Sequence, residues 1–312
     1  MTFERIRHRL QHGRPLVVDS DTAASFRARG VELDTPGALG LLLRERSSEV
    51  LDHYRTEVRS RVDVLSALTA DTTPRALAEV GMEHRAAQLT RRAVELALEA
   101  AEESEKPIAV AGVLGSDMVS PVAAGRMHEE FTEHAARLAV SGCELILARG
   151  QGSRLGLMAA VVAAARTELP TWAVLEFASS DELTSTDHAT SLAEALANAG
   201  ASAVLFEVAQ IDLGLAYLQR FRAAFSQHGL APGVLLAGSE ASLRGFNDET
   251  SNPEHWMERA IDLSIGGARV IGGGAGTTEA HTQRLAQALG SLHPSLPVQR
   301  PDTKLDPGSR DC

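Results

Sequence analysis

Eight short apolar runs, separated by longer stretches of helical spacing, constrain the fold of this chain more than any other feature. They are Pro15–Asp21, Val62–Thr69, Ile108–Gly115, Glu144–Gly150, Thr171–Phe177, Ala201–Val208, Gly233–Ser239 and Arg269–Gly274. Most are near-continuous hydrophobic runs, the pattern of strands buried on both faces. Between them apolar residues recur at three- and four-residue intervals, most clearly over Arg85–Glu105, then over Arg154–Thr167, Ser191–Ala199 and Leu213–Phe225. Eight strands with seven intervening helical regions predict an α/β protein built as a single-domain (β/α)8 TIM barrel. An open doubly wound sheet is the structural rival. The barrel is expected over residues 1–290. Residues 291–312, SLHPSLPVQRPDTKLDPGSRDC, shift abruptly to Pro, Ser, Asp and charge, and read as a flexible tail.

Composition narrows the partners. Hydrophobic residues make up 44% of the 312, yet aromatics only 4%. That mix suits helices packed around a parallel sheet and suits an all-β sandwich poorly. A net charge of −11 and the lack of a basic stripe argue against nucleic acid. The Arg and His residues in the first fourteen positions are interleaved with apolar ones, as in a helix with one solvated face. Two cysteines, Cys143 and Cys312, form no disulfide framework and point to a reducing compartment. The N-terminal stretch has no apolar core of signal-peptide length. No apolar run approaches the ~18 residues that span a bilayer. A cytoplasmic protein without a membrane partner is expected.

Residues 268–281 read ARVIGGGAGTTEAH, an apolar strand running into a glycine-rich turn and a Thr-Thr helix start. Glycines let backbone N–H groups approach a ligand, and the following helix presents its positive end. Barrels often hold phosphate beside the loops after strands seven and eight. Gly272, Gly273, Gly274, Ala275, Gly276 and Thr277 are therefore candidates for a phosphate or carboxylate site, with tight packing of the turn as the alternative. The lysine of a P-loop is missing.

This segment resembles the last strand of the homocysteine S-methyltransferase family, where the same place reads Gly-Gly-Cys-Cys-Gly-Thr-Thr-Pro-Glu-His. Gly272, Gly273, Gly276, Thr277, Thr278 and His281 stand in register. Asp19 and Gly30 match the family's opening Asp-Gly-Ala-Met-Gly-Thr-Glu-Leu and its later Arg-Gly, although both glycines of the opening motif are gone. Ala109–Gly115 resembles a strand ending Gly-Ser-Ile-Gly-Pro, and Thr190–Ala199 a Thr-Ser-Leu-Ala-Glu-Ala helix start. The resemblance implies the barrel fold and a zinc ion that turns a substrate thiol into a thiolate.

The departures from the family cluster where that chemistry sits. Gly274 and Ala275 replace the paired cysteines, and Val208 falls where a sixth strand ending Gly-Val-Asn-Cys supplies the remaining zinc ligand. Arg149-Gly150 replaces a Glu-Thr step whose carboxylate helps hold the substrate amino group. Ser66-Ala67-Leu68-Thr69 replaces a Thr-Asn-Thr region. A free thiol, with a pKa of about 8.5, is a weak nucleophile near neutrality. Cysteine-bound zinc deprotonates a coordinating thiol outright. Val208, Gly274 and Ala275 offer no such ligand, Cys143 precedes the fourth strand, and Cys312 is in the tail. No zinc and no other cofactor are expected.

Residues at the strand C-termini converge on one mouth of such a barrel. These are Asp19, Asp21, Thr69, 115–117, Arg149, Glu176, Glu207, 239–240 and 272–277. Glu176 and Glu207 end adjacent strands and are candidates to bind an amine or cation, or to act as acid and base. Each could instead point outward to a helix. Arg149 suits a carboxylate or phosphate through its fork geometry, or an internal ion pair with Glu176 or Glu207. His281 reads as structural. The polar stretch Gly245–Pro253 could form a lid.

Three functions stay open. The first is a barrel of altered or lost activity that binds a small anionic or amino-acid-like ligand through Arg149, Glu207 and the glycine turn. The second is an S-methyltransferase acting on a small thiol with a non-standard site. The third is a non-catalytic subunit of a methyltransferase. The partner expected is a small molecule, and a homo- or hetero-oligomer stays open.

Overall fold

The computed structural model describes residues 2–12, 14–33, 35–115, 123–150, 153–176, 186–238 and 252–292. Eight parallel strands close into a barrel in sequence order. They are β1 (Leu16–Val18), β2 (Val64–Ala67), β3 (Ala109–Leu114), β4 (Leu145–Arg149), β5 (Thr171–Glu176), β6 (Ala201–Val208), β7 (Ala231–Leu236) and β8 (Val270–Gly273). The open-sheet rival is thereby excluded, since β1 pairs with both β2 and β8. β7 begins two residues before the apolar run of the sequence. Pro232 lacks an N–H, but its carbonyl still accepts Arg269 N at 2.7 Å.

Helices cover the strands. α1 (Thr2–His12) precedes the barrel, and α2 (Thr22–Ala28), α3 (Ala38–Glu45) and α4 (Ser47–Arg59) follow β1. α5 (Pro74–Ala78), a 3-10 turn at Glu83–Arg85 and α6 (Ala86–Glu102) follow β2. α7 (Ala124–Ser141), α8 (Arg154–Ala165), α9 (Thr186–Asn198), α10 (Ile211–His228), α11 (Pro253–Ile265) and α12 (Glu279–Leu292) complete the ring. The short α2 and α5 start where Asp21 accepts Ala23 N (2.9 Å) and Thr73 accepts Ala76 N (3.2 Å), ordinary N-caps. Of the polar stretch 245–253, residues 245–251 lie outside the described residues. Asn252 caps α11 by accepting Glu254 N (2.9 Å), and Pro253 is its first residue. α12 runs two residues into the expected tail, whose remainder, 293–312, is also outside the described residues.

Strand alternation divides the core into two layers. Leu16, Val18, Val64, Ala111, Leu147 and Trp172 fill the barrel interior with their neighbours. Val17, Leu65, Val110, Ile146 and Phe206 pack outward against helices. α1 plugs the N-terminal end by adding Ile6 and Leu10 to the interior layer. Below it Asp63, 1% exposed, accepts Arg9 through both oxygens (2.6 and 3.0 Å) and Lys106 Nζ (3.1 Å). Burial works to raise this carboxyl, but Arg9, Lys106 and Arg14 outweigh it and hold it below the usual range. The basic N-terminal residues are thus partly an internal latch. No helix among the described residues is long and apolar enough to cross a membrane.

Candidate functional site

The mouth is built by continuing the interior parity one step past the packed layer. Leu145 and Leu147 point inward, so Arg149 does too. Trp172 and Val174 lead to Glu176, and Ala203 and Leu205 lead to Glu207. Glu176 and Glu207 are Cα partners on neighbouring strands, an arrangement of like charges that is unfavourable alone. Arg149 resolves it. Its Nε donates to Glu176 Oε1 (2.8 Å) and its Nη2 to Glu207 Oε2. The side chains of Arg149 and Glu176 are 22% and 21% exposed, and that of Glu207 only 7%. Among the described residues the group is an internal ion pair of one guanidinium with two carboxylates, partly exposed at Arg149 and Glu176. Gly115, at φ +103°, lies so close beneath Arg149 that a Cβ would meet its carbonyl oxygen at 2.6 Å. Residues 116–117 and 239–240 lie outside the described residues.

The glycine turn does not offer the vacant N–H cradle that its sequence suggests. Gly273 N donates to Asp19 O (3.2 Å) and Gly274 N to Leu236 O (2.9 Å). Ala275 N donates to Glu207 Oε1 (3.3 Å) and Gly276 N to Asp21 Oδ2 (3.0 Å). Thr277 N donates to Gly274 O (3.2 Å), and Thr278 N to His281 Nδ1 (3.0 Å). Every N–H from 273 to 278 is engaged within the protein. The glycines serve close approach instead: a Cβ on Gly272 would stand 2.7 Å from Val18 Cβ and 2.9 Å from Leu235 Cδ2. His281, 3% exposed and edge-on to Trp256, closes the start of α12 as a structural residue.

Asp19 lies beneath the mouth, 2% exposed, with its two oxygens accepting Ser66 N (2.7 Å) and Ser66 Oγ (2.6 Å). Burial, reinforced by the nearby Glu57 carboxyl, pushes its pKa up to about 8. Glu57 on α4 is also fully buried, and burial raises it. It accepts Ser20 N (3.1 Å), Ser20 Oγ and Thr282 Oγ1 (2.9 Å). Alongside, His53 bridges Glu279 (3.2 Å) and Thr22 (3.3 Å), and Glu279 also accepts Ser25 Oγ (2.9 Å) and Arg29. Burial opposes ionisation of Glu279, yet His53 and Arg29 hold its pKa down to about 2. Sequence reasoning missed this network. The signal was present: Val50, His53, Tyr54, Glu57 and Val58 fall on one helical stripe, all buried. Thr69 faces a neighbouring strand rather than the mouth. Its Oγ1 accepts Val113 N (2.8 Å), and its carbonyl accepts His134 Nε2 (3.0 Å).

The three positions of the family's zinc cysteines do not fit a metal. Val208 is buried in the outer layer, against Gly214 of α10. Ala275 has no donor atom in its side chain. At Gly274 a Cβ would press on Ala237 N at 2.9 Å and the Leu236 carbonyl carbon at 3.0 Å, so a cysteine side chain would be crowded there. Cys143 precedes β4 and is buried against Gly112, where burial raises its thiol to about 12. Among the described residues no group of three or more His, Cys, Asp or Glu side chains is arranged for a metal.

A closed eight-stranded parallel barrel with a charged group at its strand C-termini defines a (β/α)8 barrel protein. The sequence profile of the family Homocysteine S-methyltransferase matches residues 16–289, and the chain belongs to that family. The metallated form of the homocysteine methyltransferase MmuM from Escherichia coli superposes with a TM-score of 0.74 at 18% identity, covering 91% of this chain and 99% of that one. Its oxidized form gives 0.72 at 19%, covering 89% and 97%. The carboxyl transferase domain of Rhizobium etli pyruvate carboxylase with 3-hydroxypyruvate gives 0.55 at 12%, covering 92% and 48%. Likeness at these identities concerns the fold. No curated protein matches the sequence.

Proposed function

We propose that this member of the family binds a small amino-acid-like ligand at the barrel mouth, with methyl transfer altered or lost, and does so without zinc. The observation that carries the reading is Arg149 held between Glu176 and Glu207 at the strand ends, with Arg149 and Glu176 partly exposed. A zwitterion suits this group, because its ammonium matches the carboxylates while its carboxylate matches the guanidinium. A simple anion suits it less, since it must compete with two glutamates for one arginine. The engaged N–H groups of residues 273–278 also favour an amino acid over a phosphate.

The test is calorimetric titration of the full chain with homocysteine, methionine, S-methylmethionine and inorganic phosphate. Binding of an amino acid, weakened about tenfold or more by Arg149→Ala, is expected. Binding of phosphate but no amino acid at the mouth, lost in Arg149→Ala, would overturn the reading. Transfer of a methyl group from S-methylmethionine to homocysteine would instead establish a working S-methyltransferase. The internal pairing of Arg149 favours a second reading, a non-catalytic subunit. Failure of every small molecule to bind, with co-purification of a methyltransferase, would select it.

A further inference from the structure

A second cluster of charge lies apart from the mouth triad. A cleft of about 380 Å³ opens between α3, the first residue of α4, and the start of α6. Four arginines line it: Arg44, Arg85, Arg91 and Arg92. One carboxylate, Glu95, lines it with them. The local excess of three positive charges runs against a chain of net charge −11.

The arginines are weakly committed elsewhere. Arg91 and Arg92 approach Glu95 only at 3.7 and 4.0 Å, and Arg44 approaches Glu45 at 3.8 Å. All these side chains are at least 43% exposed, and pairs of that kind contribute little in water. Arg85 makes no ion pair among the described residues. It precedes α6, which has no acidic residue in its first turn and no side-chain cap. The floor is Leu43 and Leu89, both buried, with Ser47 and Gln88 beside them. The cleft lies among the outer helices, lined by the end of α3, the first residue of α4 and the N-terminal half of α6.

We propose that this cleft is a binding site for a small organic phosphate. Guanidinium forks match phosphate oxygens two at a time. A phosphomonoester or diphosphate balances an excess of three charges, whereas a monocarboxylate leaves most of it uncompensated. The leucine floor takes the apolar body of the molecule. Screening over about 8 Å at physiological salt lets a small anion sense the local arginines, while an extended polyanion meets the acidic whole.

The experiment is titration of the full chain with pyrophosphate and with inorganic phosphate, at about 0.15 M ionic strength. Pyrophosphate is expected to bind at one site per chain and more tightly than phosphate. Arg85→Gln with Arg92→Gln should weaken it at least about tenfold, while Arg149→Ala leaves it unchanged. Absence of binding, or binding that survives the double substitution, overturns the proposal. Arginine labelling by phenylglyoxal gives a readout that needs no variant. Pyrophosphate should protect Arg85 and Arg92 while Arg126 and Arg137 stay reactive, and equal labelling of all four overturns the proposal.

Discussion

Replacing Arg149 by methionine converts a satisfied ion-pair group into two facing carboxylates. Glu176 and Glu207 are directly opposite on β5 and β6, and Arg149 currently bonds to both. With the guanidinium gone, the carboxylates repel. At roughly 5 Å and an effective dielectric of about 20 that repulsion is about 3 kcal/mol. Removing one partner from a fully buried pair costs about 3–5 kcal/mol. Here Glu176 is 21% exposed and water relieves part of the strain, so about 2–4 kcal/mol is expected. The assay is urea unfolding of the full chain at pH 8, wild type against Arg149→Met. Adding Glu207→Gln should recover most of the loss. A cost below about 0.5 kcal/mol, or one that Glu207→Gln does not relieve, would refute the electrostatic account of the mouth.

Asp19 is raised when folded, so its contribution is full below about pH 4 and lost as pH rises through about 8. Asp19→Asn should flatten that decline by about 1.4 kcal/mol or more, read from urea midpoints at pH 5 and pH 8.5. Glu279 is depressed, so its contribution is present above the ordinary glutamate range and lost as pH falls through about 2. Glu279→Gln should cost about 1–2 kcal/mol at pH 7, measured by denaturant titration, with the difference fading toward pH 2. Gly272→Ala places a methyl 2.7 Å from Val18 Cβ in the barrel interior and should cost about 1–3 kcal/mol, readable as a fall in thermal midpoint.

The barrel was legible because its strands are continuous apolar runs. β6 falls on its expected residues, 201–208, β4 loses one residue at each end, and β5 follows its expected run through Glu176, residue 177 lying outside the described residues. Those ends were the harder part: the polar mouth residues look like strand by composition but leave the ladder to bond elsewhere, as Thr69 does with Val113. The inward pointing of Arg149, Glu176 and Glu207 follows from parity once Leu147, Val174 and Leu205 are placed inside. What local sequence does not carry is tertiary pairing. Nothing within ARVIGGGAGTTEAH tells that Asp19, Asp21, Leu236 and Glu207 consume its N–H groups from three other strand ends. Glu57 was hidden for a different reason: a glutamate in a charged helix reads as solvated unless its place on the apolar stripe is weighed.

The account holds that a charged group stands at the mouth in place of thiolate chemistry. The measurement that tests this most directly is the zinc content of freshly purified, tag-free protein after dialysis. The account predicts zinc far below one ion per chain, because Val208, Gly274 and Ala275 present no side-chain donor. Zinc retained at close to one ion per chain would contradict it, and would return thiol methylation at a rebuilt metal site to first place.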